Sequence, residues 1–255
     1  MISFLSELRK RNGYLYWFGW YNFILGIICV SLMQFDTVQL LGINRWIKPM
    51  KFFFSVGIMV WTMDWLMHYL DNKRKVVRYS WLIIISMFVE NFIIFLQAAR
   101  GTTSHFNIQT TFDSIMFEIM GLFILLFAIT SILIAGAFLR QKQFSIPASY
   151  LWGIRIGLIF FILFSIEGGM MLSRMGHTVG AADGSVGLPI VNWSRQYGDL
   201  RIAHFFGMHS LQILPLAGYY IFKKPSALIV FSIIYFFAIS FLLILALKGI
   251  PFMKF

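Results

Sequence analysis

The sequence predicts an all-α polytopic integral membrane protein, a single domain (1–255) built as a bundle of seven transmembrane helices. Three observations predict it. Hydrophobic residues fill 59% of the 255 positions and charged residues only 12%, where soluble domains carry about a quarter charged. The mean hydropathy is +0.79, and 29 phenylalanines are more apolar bulk than one soluble core buries. Apolar runs of about 20 residues, the length that crosses a bilayer, recur along the chain.

The runs cover 14–34, 50–70, 79–98, 112–138, 150–172, 201–221 and 226–247. The first is too long for the apolar region of a signal peptide and no small-x-small cleavage site follows it, so it reads as a retained helix. Its start, YLYWFGWYNF, has the tryptophans and tyrosines expected near a membrane interface. The lone Cys29 lies inside this run, which excludes an internal disulfide and any CxxC pair. It reads as a small buried hydrophobe.

Lys and Arg set the orientation. The connections 71–78 (DNKRKVVR), 140–143 (RQKQ) and 223–224 are short and basic. They fall on one side with Arg9, Lys10 and Arg11, giving that side eleven basic residues. It is assigned to the cytoplasm, with the N-terminus inside and the C-terminus outside. The opposite side holds Arg45, Lys48, Lys51, Arg100, Arg174, Arg195, Arg201, Lys248 and Lys254, against that rule. The net charge of +11 is thus topological and does not indicate nucleic acid. The expected partners are membrane lipids and a lipophilic small molecule, and the expected location is a bacterial inner membrane.

The outer connections are the long ones. The third, 173–200, has 28 residues and no obvious element. Its Leu188, Ile190, Val191 and Trp193 are not the composition of a disordered segment, and a loop of that length suits a lid or plug. Its glycines match no phosphate-binding fingerprint. INRW before the second run and VNWSR before the sixth are too short a likeness to establish a repeat.

Four carboxylates fall inside apolar runs: Asp64, Glu90, Glu118 and Glu167. Such groups are costly in hydrocarbon and normally face a partner or cavity. Counting about 1.5 Å per residue places Glu90 with Asn91, Glu118, Glu167, and His204, His209 and Gln212 in one outer layer, drawn from four helices. The inner half holds less, namely Asp64, His68 and Arg155. A shared depth predicts a common cavity. Buried pairs that only fix helix packing are the structural alternative.

In this reading Glu90, Glu118, Glu167 and His209 carry acid–base chemistry. Asn91, Gln212 and Trp193 line the site, while Lys48, Lys51, Arg100 and Arg201 orient an anionic head group. His204 and His209 lie five apart, about 140° around a helix, so they do not form a metal pair on one face. Pro215 removes a hydrogen bond to the Leu211 carbonyl and predicts irregularity inward of both. His105 and His177 with His204 or His209, joined by Glu118 or Glu167, would give ligation suited to zinc or iron. Haem is disfavoured because the well-placed histidines share one helix.

The first functional expectation is a membrane-embedded enzyme acting on a lipid, isoprenoid or quinone at this layer. The alternatives are a proton-coupled transporter or channel and a ligand-binding sensor or assembly subunit. A retinal protein would need a lysine within the last helix, and seven-helix membrane hydrolases need a histidine pair there. The run 226–247 has neither.

Overall fold

The computed structural model describes residues 2–253, so Lys254 lies outside the described residues. Among the described residues the chain is mostly helical, and six helices are long and apolar enough to cross a membrane. Contacts divide it into two units, Met1–Ala137 and Phe138–Phe255.

Unit 1 begins with α1 (Ile2–Arg11), a short helix that the hydropathy runs do not announce. Asn12 then caps α2 (Gly13–Phe35), its side chain accepting from the Leu15 amide. A two-stranded hairpin follows, β1 (Gln39–Leu40) against β2 (Ile43–Asn44). It is tied down by Asp36, which accepts from Arg45 Nε at 2.6 Å and Trp46 Nε1 at 2.8 Å. The Val38 amide, Trp46 and Arg45 together hold the Asp36 carboxyl below the usual carboxylate range, although burial opposes them.

The next helix, α3 (Ile47–Met67), starts earlier than its apolar run. Pro49 sits in the first turn, where its missing N–H leaves no intrahelical bond unmade. Asn72 caps α4 (Lys73–Ala99), accepting from the Lys75 amide at 3.0 Å. That cap starts the helix within the basic connection. The aromatics of the first run do more than mark an interface, because Phe23, Trp20 and Tyr16 surround Trp61 of α3. Cys29 packs with Trp46, Phe53 and Ala98.

The boundary between the units falls near the end of α5 (Thr111–Arg140). In unit 2, α6 (Ala148–Glu167) stops at Gly168 and resumes as α7 (Gly169–Arg174). The expected sixth span is helical but broken into α8 (Leu200–Met208), α9 (Ser210–Leu216) and a π-helical turn (Ala217–Ile221). The first break falls at His209, six residues ahead of Pro215. The last helix, α10 (Pro225–Leu247), begins on a proline.

Two glycines four apart explain how α6 meets α9. A Cβ at Gly153 would lie 2.5 Å from the Leu214 carbonyl oxygen, and one at Gly157 would lie 2.8 Å from the Ser210 carbonyl. The backbones touch, as small-xxx-small helix pairs do in membranes, and Ser210 Oγ donates to the Gly157 carbonyl at 3.0 Å. Phe164, Ala203 and Ile239 form the core beside them.

The long connection 173–200 is ordered. Thr178–Val179 (β3) pairs with Gly198–Asp199 (β4), and Gly187 bridges to Ser194. Asp183 accepts from the His177 and Thr178 amides, and its Oδ2 lies 2.6 Å from His177 Nδ1. Burial opposes ionisation there, but the His177 and Thr178 hydrogen bonds and the imidazole hold the carboxyl far below its ordinary value.

Candidate functional site

Unit 1 gathers three of the predicted residues. Lys48, in the first turn of α3, places Nζ 3.1 Å from His105 Nδ1. The other ring nitrogen, Nε2, lies 3.6 Å from Glu90 Oε1. An ammonium group can only donate, so Nδ1 accepts and the proton of the neutral ring sits on Nε2, toward Glu90. Glu90 is 2% exposed, and its Oε2 has no hydrogen-bond partner among the described residues. One residue on, Asn91 Nδ2 donates to Asn22 Oδ1 at 2.7 Å, and Asn22 Nδ2 donates to the Phe18 carbonyl.

Arg100, expected to receive a head group, instead pairs with Asp113 at 2.6 Å and also donates to Gln97. Thr110 and Gln97 complete the cluster around that aspartate. Lys51 is partly buried in the first turns of α3. Glu118 is on an exposed face of α5. The face is open for a turn on either side, since Ile115 and Leu122 are exposed with it.

Unit 2 gathers a second acid–imidazole pair. Glu167 ends α6 with a side chain only 6% exposed, and its Oε2 lies 3.3 Å from His204 Nδ1. The same Nδ1 is 2.7 Å from the Phe164 carbonyl oxygen. A carbonyl can only accept, so Nδ1 carries the proton and Nε2 keeps its lone pair, on a side chain 30% exposed. Gly168 makes room for this ring, since a Cβ there would lie 2.9 Å from His204 Cε1. Helix α6 breaks at the residue against which the imidazole rests.

His209 does not join this pair. Its Nδ1 bonds the Phe205 carbonyl at 2.8 Å and its ring lies on Phe205, with centroids 4.1 Å apart. Trp193 packs edge-on to Phe205 and tilted to Phe206. Gln212 is partly buried in α9. Arg201 grips Asp199 through Nε at 2.9 Å and Nη2 at 2.6 Å, and also donates to the Asn192 carbonyl. It anchors the long connection, and its fork is already occupied.

The expected zinc or iron set is not assembled. His105, His177 and His204 are each engaged with a different carboxylate. Among the described residues no group of three or more His, Cys, Asp or Glu lies where it could hold a metal ion. Sequence reasoning missed Asn22, whose signal was an amide inside an apolar run. It also missed Asp113 and Asp199 as the partners of the arginines, and Gly168 as the seat of an imidazole.

Long apolar helices carrying buried acid–imidazole pairs define the chain as a helical integral membrane protein. Comparison with known protein families, with curated proteins and with solved structures finds no match.

Proposed function

We propose that the protein is a membrane-embedded enzyme acting on a lipophilic substrate (a lipid, isoprenoid or quinone) in the outer half of a bacterial inner membrane, with His204 as general base. The observation that carries this reading is the fixed tautomer. Nδ1–H is held by the Phe164 carbonyl at 2.7 Å, with Glu167 Oε2 3.3 Å away, which leaves the lone pair on Nε2, in a side chain 30% exposed. The carbonyl orients the imidazole, and a carboxylate this near would stabilise the cation formed when Nε2 takes a proton. Phe205, the next residue on α8, and Trp193 packed against it offer apolar surface for a substrate from the lipid phase. In this reading the broken segment Leu200–Ile221 is the seventh crossing, and the side bearing α1 and the basic connections is cytoplasmic.

The test is mass spectrometry of lipid extracts from membranes that contain the wild-type chain or His204→Ala at equal amounts. The expected result is at least one lipid or quinone species whose abundance differs about tenfold, in line with the 10²–10⁴-fold that a general base contributes. Identical extracts would overturn the reading.

A further inference from the structure

Within the long connection of unit 2, residues 186–194 (VGLPIVNWS) run without a charge between Asp183 and Arg195. They fold as a hairpin. Gly187 bridges to Ser194, the Arg195 amide donates to the Val186 carbonyl at 3.3 Å, and the Leu188 amide donates to the Trp193 carbonyl at 2.8 Å. The turn closes on itself, with the Val191 amide on the Pro189 carbonyl and the Asn192 amide on the Leu188 carbonyl. Gly187 lets the two arms touch, since a Cβ there would run into Asn192.

The hairpin folds back along α8. Arg201, at the start of that helix, donates to the Asn192 carbonyl, and Trp193 meets Phe205 edge-on with ring centroids 5.4 Å apart. Phe205 lies about 8 Å along α8 from Leu200. The residue before it, His204, is 3.3 Å from Glu167, and the chain continues helically from Glu167 for about 10 Å to Arg174. Ala148–Arg174 is one of the six helices long and apolar enough to cross a membrane. The hairpin therefore reaches below the end of such a helix, to the depth at which headgroups give way to acyl chains.

At that depth it leaves apolar side chains uncovered. Val186 is 66% exposed and Ile190 61%, and Pro189 is exposed as well. Ile190 also sits in the left-handed region, at φ +65°, where a β-branched residue is an outlier. Little of that residue is buried against protein in return, so apolar surroundings outside the protein are what would offset the strained turn. The backbone suits such a setting too. Irregular chain is tolerated near hydrocarbon only where its polar groups are bonded. The Leu188, Val191 and Asn192 amides are bonded within the hairpin, Pro189 has no N–H, and the Asn192 carbonyl is taken by Arg201.

We propose that the hairpin 186–195 is seated in the leaflet on its own side of the membrane, with Val186, Pro189 and Ile190 against phospholipid acyl chains. It is a shallow anchor that holds the long connection to the membrane beside α8. Trp193, a residue type that favours the membrane interface, sits between the anchor and the helix. This does not depend on the chemistry proposed for His204, and unchanged lipid extracts would leave it standing.

The experiment uses the full chain carrying Cys29→Ala, which removes its single thiol, with Ile190→Cys, Val186→Cys or Ala182→Cys added one at a time. Each variant is confirmed monodisperse by gel filtration, labelled with nitrobenzoxadiazole and placed in phosphatidylcholine vesicles. Two quenchers are compared: a nitroxide on the lipid acyl chain near the headgroup, and iodide present on both sides of the membrane. The label at 190 is expected to emit to the blue of the label at 182. The nitroxide should quench it about threefold more than it quenches the label at 182, and iodide should show the reverse order. Ala182 is exposed outside the hairpin and reports the aqueous setting. Val186→Cys is read in the same way, so the proposal stays testable if Ile190→Cys does not fold. Iodide quenching at 190 and 186 equal to that at 182 would overturn the proposal. So would labels that neither quencher reaches, since those side chains would then be covered by protein.

Discussion

The two units use the same pair of residues, a buried glutamate and a histidine, with the imidazole turned opposite ways. In unit 1 Nε2 faces Glu90 and Nδ1 faces Lys48, so both nitrogens are engaged. In unit 2 Nδ1 faces Glu167 and the Phe164 carbonyl, and Nε2 keeps its lone pair. The difference teaches that a Glu–His pair has no chemistry of its own. The third group, Lys48 in one unit and the Phe164 carbonyl in the other, fixes which nitrogen carries the proton.

The arginine anchors give the largest contrast between the units. Asp199 is 1% exposed and Arg201 is its cationic partner. Removing one member of a buried pair strands the other charge, so Arg201→Ala should cost about 3 kcal/mol and lower Tm by roughly 10 °C. Arg100 is more exposed, at 37%, and Asp113 keeps Thr110 and Gln97 without it. Arg100→Ala should therefore cost only about 1 kcal/mol. Thermal unfolding of the two variants side by side checks the ranking, and equal shifts would break it.

Packing gives the next contrast. Gly153→Ala must push α6 off α9, at about 2–3 kcal/mol, while a Cβ at Gly121 in unit 1 meets nothing within 4 Å, so Gly121→Ala should stay within about 0.5 kcal/mol. Folded yield after detergent extraction separates them. Gly168→Ala sharpens the reading of His204. Displacing the ring should lower any His204-dependent lipid turnover about tenfold, with a Tm loss of no more than about 3 °C. Turnover that survives the displacement would detach this imidazole from the chemistry. Asn22→Ala, which removes the acceptor of Asn91, should cost about 1 kcal/mol, read as a small Tm shift.

The smallest effect is a pH dependence in the long connection. The Asp183 carboxyl is depressed in the folded state, so its contribution is complete above the ordinary carboxylate value near pH 4. It is lost as pH falls from there toward the folded value. Hydrogen exchange at the His177 and Thr178 amides should accelerate below about pH 4. Exchange that stays flat down to pH 2 in a folded protein would remove the carboxylate from that role.

The spans were legible because burial in lipid demands about 20 apolar residues whatever the neighbours. Hence 14–34 became Gly13–Phe35 and 226–247 became Pro225–Leu247. Ends set by caps were less legible, since the Asn72 cap starts α4 inside what reads as a charged connection. The interruptions at Gly168 and His209 carried no clear signal. Gly168 makes room for a ring from another helix, and Pro215, the conspicuous breaker, lies inside α9. Among the site residues, Glu90, Glu167 and His204 were legible as polar groups in an apolar setting, and Lys48 and His105 as residues of the outer connections. Their pairings were not, because residues such as Glu167 and His204 are far apart in sequence. The aspartate partners of Arg100 and Arg201 were not legible either, since nothing near those arginines in the sequence announced Asp113 and Asp199 as structural partners.

By itself the sequence determined that this chain is an integral membrane protein, roughly where its long apolar helices run and which costly polar groups they carry. Those follow from composition and length along a single chain, the terms in which transfer into lipid is reckoned. Only the tertiary structure decided that Glu118 stands exposed and that the arginines are spent on anchoring. It also decided that each imidazole presents a particular nitrogen, because a tautomer is fixed by whichever donor or acceptor folding brings within about 3 Å of the ring.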